Sequence, residues 1–556
     1  MESRTFFKGN VLSTKQAVKP LVASILVINT QIASAMAEDC ANPIIADANV
    51  GDTAQTTTLN EAISIARNCN NNGNDVNIQI ADTLAGQTIE FNNESAISID
   101  GNKKYVITGP AENRVTIKDS HVSNALFRVQ ESSELELNNL IFSGEDLSNR
   151  TATLIELTGS NPNPAPAAGG SSLTINNSRF ENITSQYNFG GVVRVTGGAL
   201  TITDSVFKGN NNQANEGSRG GAIHFQTDEY GSSDLNISNS LFDGNRSEEG
   251  GAIFAYPYNS TIKISNTTLA NNYGNTGGAL YLQSNSGGDV DILHSTFVNN
   301  QSFNGTNRGA AIHVESAYHD VVISHTAFSG NSSGRTICMV ESGTPTLEYS
   351  YLDDSVNNSC NNLTDGGGNI LPVNDSIADV KLGDLSDNGG KTQSYAPAGD
   401  SPLINSGNPQ IANAPATDQR GETRVARGQV DIGSVEFQGT APTTSVTIEN
   451  QTIKTSDEIS IDADIFNDAE GDSYTFAMSG APSGLAIDEN SGEISGKATE
   501  TGEFTIVVTV TDQWGLSSIT SMTLTVEKSK SKSSSGGTLW YLLLAAPFVL
   551  RRKSKK

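Results

Sequence analysis

The sequence predicts an all-β protein in which a right-handed parallel β-helix precedes a C-terminal β-sandwich. Three observations predict it. First, one phrase recurs at intervals of 27 to 38 residues: "LELNNLIFSGE" from Leu135, "LTINNSRFENI" from Leu173, "LTITDSVFKGN" from Leu200, "LNISNSLFDGN" from Leu235, "IKISNTTLANN" from Ile262, "VDILHSTFVNN" from Val290 and "VVISHTAFSGN" from Val321. Second, "GGVVRV", "GGAIHF", "GGAIFA", "GGALYL" and "GAAIHV" interleave with it, from Gly190, Gly220, Gly250, Gly277 and Gly309. A repeat of this length is the signature of a solenoid. Third, apolar residues alternate at period 2, and glycine (53 residues), Asn, Ser and Thr supply turns, so the repeating unit is built from short strands.

The elements follow in chain order. Residues 1–37 read as a secretory signal peptide: Arg4, Lys8, Lys15 and Lys19 precede an apolar run that ends at Ala35-Met36-Ala37, with cleavage after Ala37. Residues 38–75 hold an N-terminal cap. In "TTTLNEAISIARNCN" (Thr56–Asn70), Leu59, Ala62, Ile63 and Ala66 fall at helical spacing and would cover the open end of the solenoid. The β-helix occupies 76–360. Coils stacked about 4.8 Å apart turn equivalent positions into ladders. Phe142, Phe180, Phe207, Phe242, Leu269, Phe297 and Phe328 form an inward column. Asn139, Asn177, Asp204, Asn239, Asn266, His294 and His325 form a corner ladder, so both histidines read as structural.

In the Gly-Gly strands, Ile223 and Phe225 and their equivalents point inward. Arg194, His224, Phe254, Tyr281 and His313 point the other way and form one outward column. Exposed rings at steps of about 5 Å would stack on sugars or on a partner surface, which makes this column the candidate binding site. The paired Phe-x-x-Asn and Gly-Gly-Ala-Ile phrases of residues 170–335 resemble the repeats of polymorphic outer-membrane proteins, which are β-helical surface adhesins. Those adhesins also carry a C-terminal membrane barrel. No run of alternating ten-residue strands follows here, so autotransport is not expected.

Residues 361–438 carry D-N-G-G-x-T (Asp387–Thr392), G-x-S-P-x-I-x-x-G (Gly399–Gly407), D-Q-R-G (Asp418–Gly421) and D-I-G-x-x-E (Asp431–Glu436). In this order they resemble the choice-of-anchor Q region of bacterial surface proteins. The resemblance implies a β-helix, a segment that closes it, a C-terminal sorting signal and no common catalysis; Asp418, Arg420 and Asp431 would lock the segment onto the last coils. Residues 440–527 alternate strands such as "FTIVVTVTD" with turns. The Gly-Leu-x-Ile-Asp and Gly-x-Ile-Ser-Gly phrases resemble cadherin-like and Ig-like modules. Asp464, Asp468, Glu470, Asp472 and Asp512 could give oxygen ligands to Ca²⁺, the one cofactor the sequence suggests; ordinary turn acids are the alternative. The tail, 528–556, places Gly536-Gly537 before a short apolar run, read as a membrane-sorting helix, and a basic end. It resembles the GlyGly-CTERM signal of Gram-negative bacteria, which implies cleavage by a rhombosortase-type protease and release through a type II secretion system. The chain would touch the inner membrane only through this tail before processing.

The chain carries a net charge of −27; removing residues 1–37 (net +3) and 538–556 (net +5) would leave −35. Such a surface excludes nucleic acid as a partner. Cys40, Cys69, Cys338 and Cys360 all lie in the exported part, where disulfides persist. Their spacing suggests Cys40–Cys69 and Cys338–Cys360, with two other pairings open. Lyase or hydrolase chemistry needs a base or paired carboxylates on one outward sheet face. The outward column offers no carboxylate in the Gly-Gly strands. The expected function is therefore a non-catalytic adhesin or matrix-binding protein, exported to the cell surface or secreted, whose partner is an extracellular polysaccharide or cell-surface ligand. A polysaccharide lyase or glycoside hydrolase is the second reading, and a structural stalk the third.

Overall fold

The computed structural model describes residues 44–46, 58–68 and 75–529, apart from 92–95, 120–122, 145–149, 160–169, 213–216, 228–232, 284–287, 304–307, 317–319, 334, 340–344, 354–362, 372–378, 412–413, 427, 469–471 and 513–515. Ala37, Cys40, Cys69, Cys360, Glu470, Gly536, Gly537 and the side chain of Cys338 lie outside the described residues, and with them the processing signals, the sorting helix and the disulfide pairing. The chain divides into two units, one through Gln438 and one from Gly439.

The first unit is a parallel β-helix. Among the described residues three long sheets run along it, and every strand pair within them is parallel. The leucine sheet has twelve strands, from Ile44–Ala46 to Thr364–Gly367, seven residues beyond the expected end at 360. The phenylalanine sheet has ten, from Thr88–Phe91 to Tyr351–Leu352, and the glycine-flanked sheet nine, from Ile97–Ile99 to Arg335–Met339. The register matches the sequence repeat: Leu200, Leu235, Ile262, Val290 and Val321 are successive partners in the leucine sheet. Ile223, Ile253, Leu280 and Ile312 are the same in the glycine-flanked sheet.

Alternation in each strand puts one apolar set inside, where it forms a continuous core. Phe142, Phe180, Phe207 and Phe242 stack face to face at 4.7–4.9 Å, and Phe297 stacks on Phe328 at 5.0 Å. A second ladder lies beside them. Asn210, Asn245, Asn272 and Asn300 are fully buried, and each amide nitrogen donates both to a backbone carbonyl of the preceding coil and to the Asn oxygen of the next. The Asn of Phe-x-x-Asn thus satisfies polar groups that the tight corner would otherwise bury unpaired.

The corner ladder also forms. Asn139, Asn177, Asp204, Asn239, Asn266, His294 and His325 all have φ between 44° and 57°, and Tyr349 continues the series at 43°. This left-handed conformation favours Asn, Asp and His among non-glycine residues. At the other end the cap is the helix Leu59–Asn68. Thr58 and Glu61 close a capping box, the Glu61 N–H donating to Thr58 Oγ1 and the Thr58 N–H to Glu61 Oε2. Leu59, Ala62, Ile63 and Ala66 pack into the core beside Ile78 and Ile80, as their spacing requires.

Of the expected closing segment, Leu363 and Leu371 pack against the solenoid core, and the described residues of 380–437 lie along its side as a strap over the outer face of the phenylalanine sheet. Thr392 Oγ1 donates to Asn239 O, Thr268 Oγ1 to Gln419 Oε1, and the Gly433 N–H to His325 O. Val380, Leu403 and Ile432 pack on Ala327 and Tyr351, and Tyr395 packs on Ala270 and Val298. The outward residues of this sheet are small or apolar over these coils, so the strap completes their burial. Asp418, Arg420 and Asp431 fold the strap on itself through their side chains, and the Asp431 backbone also meets His294 of the corner ladder. Asp418 accepts from the N–H groups of Arg420, Glu422 and Glu436, and Asp431 from those of Asn405 and Phe437. The grip comes from the buried Arg424, whose guanidinium donates to Asn266 Oδ1, Gly433 O and Ser434 O.

The second unit is a sandwich. One sheet orders Gln451–Lys454, Ser517–Glu527, Gly502–Asp512 and Tyr474–Ser479; the other orders Glu458–Asp462, Glu493–Lys497 and Leu485–Ile487. Between them lie Phe476, Ile494, Ile506, Val508, Val510 and Leu524. Among the described residues no helix is long and apolar enough to cross a membrane.

Candidate functional site

The ring column of the glycine-flanked sheet exists, and it is not exposed. His224 stacks on Phe254 at 5.0 Å, Phe254 on Tyr281 at 5.2 Å and Tyr281 on His313 at 5.1 Å. His224, Phe254 and His313 have no accessible surface, Tyr281 is 4% exposed, and only the Arg194 side chain reaches solvent appreciably, at 21%. The expectation of an exposed column of Arg194, His224, Phe254, Tyr281 and His313 is therefore corrected.

The cover comes from the residue before each Gly-Gly. Phe189, Arg219, Glu249 and Thr276 pair in parallel from coil to coil, as a further ladder outside the sheet. Phe189 meets His224 edge-on at 5.3 Å, and the Arg219 guanidinium lies 4.7 Å above the Phe254 ring. The glycines make this possible. Gly220 and Gly250 both have φ of +65°, and a Cβ on either would sit about 2 Å from the carbonyl oxygen three residues on, at 1.9 and 2.1 Å. Only glycine allows the chain to double back so closely. The position is legible in the sequence as the residue ahead of each Gly-Gly, and Phe189 and Arg219 each cover the ring of the next coil.

The column also holds a carboxylate. Glu156 is in register between Arg128 and Arg194 and pairs with both, at 2.9 and 2.8 Å. Its coil lacks the Gly-Gly phrase, so the repeat alignment did not reach it. At the other end, Glu315 accepts from the Tyr281 hydroxyl at 3.1 Å and meets His313 Nε2 at 3.0 Å. Glu156 and Glu315 thus tie the two ends of the stack by ion pairs and hydrogen bonds.

An accessible groove lies elsewhere, beside the outer face of the leucine sheet. It has a volume of about 450 Å³. Lys263 and Asp291 are register partners on neighbouring coils and stand on one wall. Leu293, Val322, Tyr349 and Ile411 give it apolar surface, and Glu348 adds a second carboxylate. Burial raises the Asp291 carboxyl above its ordinary range, Lys263 opposes the shift, and Asp289 adds to it. The back of the groove is built on the corner ladder. His325 Nε2 accepts the Asn408 N–H at 2.8 Å, so Nδ1 carries the proton and donates to Ser324 Oγ at 2.7 Å. Tyr349 stacks on that imidazole at 5.2 Å. Sequence reading missed the Lys263–Asp291 pair, because the alternation of "IKIS" and "VDIL" was used to find the core and not the outward residues.

In the second unit, carboxylate oxygens of Asp468, Asp472 and Asp512 lie within 4.8 Å of one another. Three of the five expected Ca²⁺ ligands are thus brought together, two of them almost wholly buried. Asp464 instead accepts from the Tyr474 hydroxyl. An all-oxygen donor set of this kind fits a hard cation.

The buried histidines predict a pH dependence. Burial, with Arg194 and Arg219 nearby, lowers His224 to about 3, its contact with Gln226 opposing. Burial, with Arg424 nearby, lowers His325 to about 4 against its bond from Asn408, and burial with Arg424 and His325 puts His294 well below the usual range. The unfolded imidazoles protonate near pH 6.5, so their stabilisation is complete above that pH and is lost as pH falls toward 4. Glu436 acts in the opposite sense: burial and Asp431 push its carboxyl up to about 8. With three imidazoles against the Glu436 and Asp291 carboxyls, the guanidinium midpoint of the β-helix should be lower at pH 5 than at pH 7. A midpoint that is flat or higher at pH 5 refutes this.

Comparison with known proteins adds a frame. Residues 441–527 match the family described as "Putative Ig domain". The chain is 28% identical over 302 residues to the "Probable autotransporter YfaL" of Escherichia coli (strain K12). That match covers 46% of this chain and only 23% of the relative. Among solved structures, the pectate lyase Pel9A is 12% identical over 70% of this chain and 96% of its own, with a TM-score of 0.36. The PL6 family alginate lyase AlyGC is 13% identical over 74% of this chain and 62% of its own, with a TM-score of 0.33.

Proposed function

We propose that the chain is an exported, surface-associated β-helical protein that binds an extracellular polysaccharide or cell-surface ligand without transforming it. The groove beside the leucine sheet carries this reading. Its apolar floor, the Tyr349 ring and the charged pair Lys263 and Asp291 match the mixed faces of a saccharide, and stacked coils hold them rigidly. Likeness to an autotransporter supports location outside the cell. The choice-of-anchor Q phrases and the GlyGly tail support passage through a rhombosortase-type protease and type II secretion. The covered ring column supports a non-catalytic glycine-flanked face.

A second reading rests on one observation. A lysine and a carboxyl with raised pKa on neighbouring coils are the groups that proton abstraction or glycoside hydrolysis uses. A glycan array with the wild-type chain and a Lys263→Met/Asp291→Asn variant separates the readings. Binding by the wild type, weakened about tenfold or more in the variant, is the expected result. Null binding by both leaves only a stalk. Release of unsaturated or reducing sugar by the wild type, lost in the variant, makes the protein an enzyme.

The Ig-like unit would bind Ca²⁺ through Asp468, Asp472 and Asp512. Calorimetry should show one saturable Ca²⁺ site that Asp472→Asn weakens, together with a rise in the melting temperature of the unit. Unchanged melting with and without Ca²⁺ would reduce the cluster to turn acids.

A further inference from the structure

The geometry points to a second ligand site, at the corner between the phenylalanine and glycine-flanked sheets, and we propose that it takes a neutral saccharide. It is independent of the groove beside the leucine sheet. At this corner short parallel bridges place Thr184, Asn211, Arg246, Tyr273 and Gln301 on successive rungs. Between them lies a polar groove of about 340 Å³, lined by Asn212, Ser218, Glu248 and Asn275 together with the rungs Asn211, Arg246 and Tyr273.

Three features converge there. Asn212 is only 3% exposed; its amide nitrogen donates to Arg219 O at 3.3 Å, and its oxygen meets no donor. The Asn211 oxygen is unpartnered as well. Elsewhere in this solenoid the buried Asn side chains are hydrogen-bonded on both sides, so two orphaned acceptors on adjacent residues mark a place that awaits donors. Next, Tyr273 and Phe303 form a ring pair with centroids 6.1 Å apart, and Phe303 is 69% exposed. A phenylalanine left in water beside a groove is a platform for a flat hydrocarbon face. Last, the charges cancel. The Arg246 guanidinium lies 4.6 Å above the Tyr273 ring, and Glu248 is held by the Gly217 N–H and by the Asn275 amide.

Hydroxyl donors for the Asn oxygens, a C–H face for the rings and no net charge together describe a sugar ring without a carboxylate or sulfate. The acidic chain, at −27, also disfavours a polyanion.

The test uses the full chain and saturation-transfer NMR with maltotetraose, cellotetraose and mannotetraose as probes. At least one should receive saturation. Phe303→Ser and Asn275→Ala should each weaken its binding about five- to tenfold with an unchanged melting temperature, because Phe303 is exposed and Asn275 half-buried. Lys263→Met/Asp291→Asn should leave it untouched. Saturation of none of the three probes overturns the proposal, as does undiminished transfer in both corner variants. Loss of the signal in the Lys263→Met/Asp291→Asn chain also overturns it, by moving the sugar to the other groove.

Discussion

Gly250→Ala is expected to lower the stability of the β-helix by about 3 kcal/mol or more, whereas Gly244→Ala costs about 1 kcal/mol. Both glycines have nearly the same φ, +65° and +66°. They differ in space. A Cβ at Gly250 would lie 2.1 Å from Ile253 O, 2.6 Å from Ile253 C and 2.9 Å from Phe254 N, while a Cβ at Gly244 meets nothing within 4 Å. The first substitution must open the turn that lays Glu249 over the ring column, and the second only populates a strained φ. Guanidinium unfolding of the two variants reads the difference. Equal losses would mean that backbone conformation alone, and not close approach, selects the Gly-Gly phrase.

Arg424→Met should destabilise the strap by about 3–5 kcal/mol. The guanidinium is fully buried and serves three acceptors: Asn266 Oδ1 at 2.6 Å, Gly433 O at 3.0 Å and Ser434 O at 3.0 Å. Methionine fills much of the space and leaves Asn266 Oδ1 and Gly433 O without a donor, while Ser434 O keeps only the Gln419 N–H. It also leaves Glu436, 3.7 Å from the guanidinium, without its cation. Hydrogen exchange gives the local readout. The Gly433 N–H, bonded to His325 O, and the Ser434 N–H, bonded to Thr296 Oγ1, should lose protection, while strands remote from the strap keep theirs. Uniform loss throughout the solenoid would mean that the strap and the coils unfold as one unit.

Arg424 also illustrates what local pattern leaves out. The strap was recognisable by its Asp418–Gly421 and Asp431–Glu436 phrases, and those acids stood out as its locks. Their side chains brace the strap internally, Asp418 reaching 18 residues to the Glu436 N–H and Asp431 reaching 26 residues to the Asn405 N–H. Arg424 carries no motif of its own, and its partner Asn266 is 158 positions away. Lys263 and Asp291 are the intermediate case. Their outward direction follows from alternation and their adjacency from the repeat. That they line a groove depends on the segment around Asn408 and Ile411 passing beside them.

Periodicity and local signals in the chain suffice for the solenoid, its coil length, the Phe column, the left-handed corner and the helical cap. Each of these is periodic or local: alternation sets which residues face in, and the repeat sets which of them stack. Tertiary structure alone decided which outward faces remain open. Outward at the level of the strand is not exposed at the level of the coil. His224, Phe254, Tyr281 and His313 point away from the core, and a second layer one residue thick, hinged on paired glycines, buries them. The same packing lays residues 380–437 over the phenylalanine sheet and leaves two grooves, one beside Lys263 and one beside Arg246, as the accessible concave surfaces described here.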